Sequence, residues 1–233
     1  MNAVGDAARP LPPERAQAIA RAFLPAHPLG NRWDYYYSRV KLGSDPLYPG
    51  VLQALRGCRA PLLDLGCGLG LLAHALRLDG QTMTYRGVDS DAAKIGRGVR
   101  AAARAGLDAQ FQTMDLAREL PRHRGSVVIL DVLQFIPFAQ QERVIDAMIA
   151  MLTPGARLVI RTGLDDGTRR ARITVLVDKL SRLWGWMNAM PRYYPDADAL
   201  RARLAAAGLQ VEFTPLYGRT PFNNWRIVAV RAE

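Results

Sequence analysis

The sequence predicts an α/β domain: a three-layer sandwich around a seven-stranded, mostly parallel sheet with the last strand antiparallel, preceded by N-terminal helices. Three observations carry this. From residue 61 onward, short apolar runs alternate with helix-length segments, the pattern of strand–helix–strand units. A glycine-rich turn, Asp64-Leu65-Gly66-Cys67-Gly68-Leu69-Gly70, joins the first such run to the first of these helices. The last two apolar runs, 209–213 and 225–230, are joined by a link of about eleven residues, short enough to imply an antiparallel pair.

The elements follow in order. Residues 1–13 carry Pro10, Pro12 and Pro13 and read as a loose arm. Residues 14–23 read as a short helix ended by Pro25, and 33–41 as an aromatic helical segment. Asp45 and Pro46 supply an N-cap and a first-turn proline for a helix reaching about Arg56. Strands are expected at 62–65, 84–88, 109–113, 126–130 and 156–161. Helices are expected between them at about 69–78, 91–105 and 140–152. Ile173, Leu176, Leu180, Leu183 and Met187 recur at helical spacing, so 168–187 reads as a helix with one buried face. A further helix over 195–207 precedes the final two strands. The division expected is an N-terminal arm and helical lid, 1–60, and a main domain, 61–233, with a helical insert at about 164–195.

With 233 residues, 49% hydrophobic and 22% charged, the chain can build one sizeable core, which excludes disorder for most of its length. No apolar run approaches the roughly eighteen residues of a membrane span. Residues 1–6 lack the basic patch and apolar stretch of a secretory signal. Two cysteines, Cys58 and Cys67, are too few for a disulfide framework or a four-thiolate metal site. A cytoplasmic, reducing compartment is expected, and no metal. The net charge is +10, and only Lys41, Lys94 and Lys179 among the basic residues are lysines. An Ala- and Arg-rich composition with solvated arginines accounts for this; the functional alternative is an acidic partner, whether nucleic acid, an anionic membrane surface or an acidic carrier protein. The densest basic cluster is only Arg169-Arg170-Ala171-Arg172, which argues against nucleic acid.

Chemistry concentrates at the carboxyl ends of the strands, where ligands of open α/β sheets bind. Glycines let the backbone turn sharply and approach a ligand, and helix N-terminal amides add donors. Alone, such a turn is equally a tight strand–helix connection. Two carboxylates add weight. Asp89, ending the second strand before Ser90, lies twenty-three residues after Gly66, where an acid can take both hydroxyls of a ribose. Asp115, between Met114 and Leu116 at the end of the third strand, can accept from an adenine amino group. Each aspartate has a plainer reading as a helix cap, and Asp91 is a competing cap after strand two.

With Asp64, Gly66, Gly68 and Gly70 completing an acid-x-Gly-x-Gly-x-Gly pattern, the chain resembles class I S-adenosylmethionine-dependent methyltransferases, which have a Rossmann-like fold. The likeness covers 61–161 in motif and continues to 233 in element order. It implies S-adenosyl-L-methionine as cofactor, held by Asp64, Gly66, Cys67, Gly68, Gly70, Asp89, Ser90, Met114, Asp115 and Leu116. The family's fourth motif, matched over 128–137, would place Asp131 and Val132 on the methionyl side. Many members carry histidine where this chain has Gln134, which argues against a histidine base. A closer similarity, in 36–42, 131–135, 161–166 and 218–225, is to methyltransferases encoded with bacterial aryl-polyene, xanthomonadin-type pigment clusters. It implies a phenolic or aryl-polyene acceptor, free or on an acyl carrier protein.

Other readings fit less well. Counted from Gly66, the dinucleotide-binding glycine pattern fails at Leu71; it fits from Gly68 to Ala73 but starts two residues late after the strand, and no second domain is available for an oxidoreductase substrate. A non-catalytic nucleotide-binding module stays open, as does methylation of RNA or protein. The residues after strand four, Asp131-Val132-Leu133-Gln134, lack the Pro-Pro-aromatic signature of amino-methylating nucleic-acid enzymes. A small aromatic acceptor is therefore favoured. No base is evident: His27, His74 and His123 are scattered, with His74 structural on the first crossover helix. The catalytic candidates are Arg161 and Gln134, and Arg169 is a second cation. Substrate contacts are expected from Tyr36, Arg161, Arg219, Asn223 and Asn224, with Thr220 near them and an apolar wall from Trp184, Trp186, Met187 and Met190. The alternative for the tryptophans is core packing.

Overall fold

Leu62–Leu65 (β1) is buried at every position, as a central strand of a sheet covered on both faces must be. In the computed structural model, which describes residues 9–165, 193–218 and 223–231, six more strands complete one sheet. They are Tyr85–Asp89 (β2), Gln110–Thr113 (β3), Ser126–Leu130 (β4), Arg157–Gly163 (β5), Leu209–Pro215 (β6) and Asn224–Arg231 (β7). The order is β3-β2-β1-β4-β5-β7-β6. The first five pair in parallel, and β7 runs antiparallel to both β5 and β6, as expected. The chain moves outward in one direction from β1 and in the other from β4, so the crevice between these two is the switch point where α/β sheets bind ligands.

Period-two alternation divides the strands between two cores. Leu62, Val128 and Val159 face one cluster; Leu63, Leu65, Ile129 and Ile160 face the other. The first is covered by Pro13–Ala20 (α1), Trp33–Ser44 (α2), Leu47–Leu55 (α3), Leu71–Leu78 (α4) and Ala92–Arg104 (α5). The second is covered by Phe138–Met151 (α6) and Ala197–Ala206 (α7).

The N-terminal helices contribute to the core on one face of the sheet. Leu11 is buried and its N–H donates to Leu42 O, so the chain is already packed before α1 begins. α3 is buried along nearly all its length, and Arg226 and Arg157 donate from the sheet to its Gly50 and Ala54 carbonyls. Pro46, not Asp45, occupies the cap position of α3, although the Asp45 carboxylate accepts the Leu47 N–H. β5 runs two residues beyond its expected end because β7 pairs with it as far as Gly163–Asn224. The helix expected at 168–187, with Arg169, Trp184, Trp186, Met187 and Met190, lies outside the described residues, as do Arg219 and Thr220.

His74 is buried on α4 against Phe23, ring centroids 5.1 Å apart, and its Nε2 has no hydrogen-bond partner among the described residues. Burial pulls its pKa down from 6.5 to about 4. The native fold therefore holds the neutral ring, and stability complete above pH 6.5 is lost as pH falls toward 4. Thermal melts of His74→Leu should lose less stability than the parent across that interval; parallel curves would refute the assignment.

Candidate active site

The turn after β1 places three glycines at positive φ: Gly66 at +77°, Gly68 at +57° and Gly70 at +74°. Side chains rarely adopt this conformation, but the three differ in what surrounds them. A Cβ on Gly66 would collide with Val132, and one on Gly70 with the ring of Phe111. One on Gly68 would meet nothing within 4 Å. Gly66 and Gly70 are thus glycine for packing, and Gly68 presents bare backbone to open space.

Asp89 ties this backbone to the neighbouring strand. Its Oδ2 accepts the Gly68 N–H at 2.8 Å and its Oδ1 the Asp91 N–H at 2.9 Å. Each oxygen keeps acceptor capacity for a ligand hydroxyl, and the carboxylate is already oriented. Ser90 beside it is exposed. Asp91 caps α5 by accepting the Lys94 N–H. Past β3, Met114 and Leu116 are buried while Asp115 is exposed and accepts from Ala117 N–H. Asp64 lies beneath the turn, 2% exposed, and accepts a 2.6 Å hydrogen bond from the Tyr85 hydroxyl. Burial lifts its pKa to about 7; the Tyr85 hydrogen bond opposes the rise and the Asp89 charge adds to it. Its carboxylate therefore supports the turn rather than facing the open side. Burial, with Asp64 and Asp89 nearby, also pushes the Cys67 thiol up, so it stays neutral.

A four-charge cluster adjoins the turn. Asp131, whose neighbour Val132 packs over Gly66, has φ +60°. The Asp131 carboxylate pairs with Arg161 Nη1 and, at 3.2 Å, with Lys41 Nζ. Asp45 joins the same two cations, at 2.5 Å to Lys41 and 3.0 Å to Arg161 Nη2. Burial alone would raise the Asp131 carboxyl, but the Arg161 and Lys41 charges hold it below the usual range. Burial works against the Lys41 ammonium, yet Asp131 and Asp45 raise its pKa above the ordinary value.

This corrects the reading of Arg161 as a cation offered to substrate. It is 3% exposed, with both terminal nitrogens committed to carboxylates. Lys41 is the cation with an exposed edge: its side chain and that of Asp131 are each 26% exposed. Sequence reasoning did not single it out: it lies on a helix before the glycine turn, within the 36–42 stretch, and its carboxylate partners come together only in the fold. Gln134, the other catalytic candidate from the sequence, is buried, its Oε1 accepting from Thr162. Asn223 is also internal, donating to Leu164 O and accepting from Trp225 Nε1. Asn224 is buried at the start of β7. Tyr36 is 52% exposed, edge-on to Tyr35.

Comparison with known proteins gives this rim a context. The family described as "Methyltransferase domain" matches residues 17–213. The chain belongs to that family. It carries a methyltransferase domain. The methyltransferase is 30% identical over 104 residues to a protein named ubiquinone biosynthesis O-methyltransferase of Pseudomonas savastanoi, the match covering 43% of each chain. It is 27% identical over 190 residues to the protein of that name from Xanthomonas euvesicatoria, covering 80% of this chain and 77% of the relative. The chain thus spans under half the length of the Pseudomonas relative it matches. Its fold is similar to magnesium protoporphyrin IX methyltransferase of Synechocystis, solved with bound S-adenosylhomocysteine (TM-score 0.63, 20% identity, 91% of this chain and 92% of that one). It is also similar to the pyocyanin biosynthetic protein PhzM (TM-score 0.60, 16% identity, 88% and 60%). The bare Gly68 backbone and the pinned Asp89 carboxylate suit such a cofactor.

The glycines make a separable prediction. Gly68→Ala strains a left-handed residue by roughly 1–2 kcal/mol without a steric clash, so the fold should persist while S-adenosylhomocysteine binding falls. Gly70→Ala drives a Cβ into Phe111 and should lower the melting temperature further. Calorimetric titration beside thermal melts distinguishes the two.

Proposed function

We propose that this methyltransferase methylates the hydroxyl oxygen of a small phenolic acceptor, of the aryl-polyene precursor type. The observation that carries the reading is Lys41: an ammonium held protonated by two carboxylates, with an exposed edge, and paired with Asp131, whose neighbour Val132 packs against Gly66 of the turn. The printed name of the curated relatives, ubiquinone biosynthesis O-methyltransferase, supports an oxygen acceptor. The likeness of 36–42, 131–135, 161–166 and 218–225 to pigment-cluster methyltransferases supports the aryl-polyene class.

In this reading Asp89 takes the ribose hydroxyls, Ser90, Met114, Asp115 and Leu116 line the adenine end, and the Gly68 backbone with Cys67, Asp131 and Val132 borders the methionyl end. When bound, the cofactor supplies an activated methyl sulfonium, so the protein's task is alignment and a site that favours the anionic nucleophile. Lys41 stays charged and therefore acts as an electrostatic partner, not as a base. An ammonium beside the acceptor lowers the hydroxyl's pKa, and the proton leaves to solvent along the exposed edge. Cys67, kept as a thiol, does not compete as a nucleophile.

Asp89→Ala should weaken S-adenosylhomocysteine binding at least about tenfold. Lys41→Met should leave that affinity unchanged while cutting phenol methylation by about a hundredfold and moving its pH optimum upward; Lys41→Arg should restore part of the rate. The substrate class is tested with methyl-labelled cofactor and 4-hydroxybenzoate-type phenols, free and carrier-bound, with RNA in parallel. Label in the phenols supports the reading, and label in RNA alone overturns it.

A further inference from the structure

α2 is apolar on the side where a surface helix should be polar. Ser38 and Leu42 face the core. The outer side carries Trp33, Tyr36, Tyr37 and Val40, at i, i+3, i+4 and i+7, with exposures of 70%, 52%, 45% and 64%. Leu29, four residues earlier, is 90% exposed. These side chains form one ridge along two turns, a length of roughly 10 Å.

The unpaired charges beside the ridge are of one sign among the described residues. Arg32 and Arg39 are exposed beside it, and Arg39 makes no ion pair among the described residues. Asp34, the acid on α2, is already paired with Arg97 at 2.9 Å. At the Trp33 end the ridge runs into a cleft of ≈ 500 Å³ between Leu24–Ala26 and α5, whose charged lining is Arg97, Arg100, Arg104 and the paired Asp34. Arg97 is paired with Asp34 and Arg104 is tied to the Ala22 and Leu24 carbonyls, which leaves Arg100 as the arginine of the cleft with neither an ion pair nor a hydrogen bond among the described residues.

We propose that the outer face of α2, with the arginine cleft beside Trp33, docks the protein on an anionic lipid bilayer. Trp33 and Val40 enter the headgroup region, where aromatic and aliphatic side chains gain by leaving water. Arg32, Arg39 and Arg100 meet the lipid phosphates, their apolar stems lying along the boundary. Charge complementarity selects an anionic surface, and the two turns of solvent-facing aromatic side chain select a bilayer over an acidic carrier protein. Lys41 lies on the same helix, so docking brings the proposed acceptor cation close to the bilayer and suits an apolar acceptor. The proposal rests on this face alone and holds whichever molecule is methylated.

The test is co-sedimentation of the full chain with vesicles of phosphatidylcholine alone and with roughly a third phosphatidylglycerol. The chain should bind the anionic vesicles, more weakly as salt rises, and leave neutral ones free. Trp33→Ser combined with Val40→Ser should reduce binding about tenfold or more. Arg32→Gln combined with Arg39→Gln should abolish the preference for phosphatidylglycerol. Titration with S-adenosylhomocysteine verifies that both variants are folded and reads the cofactor site separately from the lipid face. Absence of sedimentation with anionic vesicles at low salt would overturn the proposal. So would undiminished binding by the Trp33/Val40 variant, or capture of an acidic carrier protein by this face with no affinity for vesicles.

Discussion

The guanidinium of Arg161 joins parts of the chain that share no covalent neighbourhood. It projects from β5 into a nearly dry interior, meets the residue just after β4 and the residue before the cap of α3, and through both carboxylates engages a lysine of α2. A charge so deeply placed is tolerable only with such partners, and removing one partner of a buried pair generally costs about 3–5 kcal/mol. Position follows from this. α2 lies where its lysine can reach the carboxylates, which fixes Lys41 beside the glycine turn and turns the aromatic ridge outward.

Burial acts in opposite directions on carboxylates that are close in space, and neighbours decide which way. Asp64 has a hydroxyl and another carboxylate near it, so desolvation prevails and the group approaches neutrality at ordinary pH. Asp131 has two cations, which prevail over desolvation. The same strand ends thus provide a weak acid that supports the backbone and a fixed negative charge that keeps an ammonium in place.

The strand–helix alternation and the glycine turn were legible because they are local: apolar runs of strand length, and residues suited to positive φ. The reversal of β7 was legible from the short link between the last two strands, but its insertion between β5 and β6 depends on long-range pairing. The division of labour within the turn was not, because it depends on Val132 and Phe111, which arrive from other strands. Asp64 fits a cofactor-binding pattern by spacing, yet its partner is the Tyr85 hydroxyl on the adjacent strand. Arg161 stands near a strand terminus, where exposure is the natural expectation, and its two carboxylates come from sequence-distant loops. Lys41 and Asp45 read locally as a helix residue and a cap; only tertiary packing makes them one electrostatic unit with Arg161.

The placement of β7 has a consequence for biosynthesis. Residues 224–231 insert between β5 and β6, with seven backbone partners on each side. A nascent chain emerging from the ribosome without them has β5 as an unprotected margin and β6 with nowhere to attach, even if the cofactor half of the sheet is already assembled. Completion of this flank must await the last strand, so the interval before its release is when the unfinished domain is most open to chaperones and to self-association.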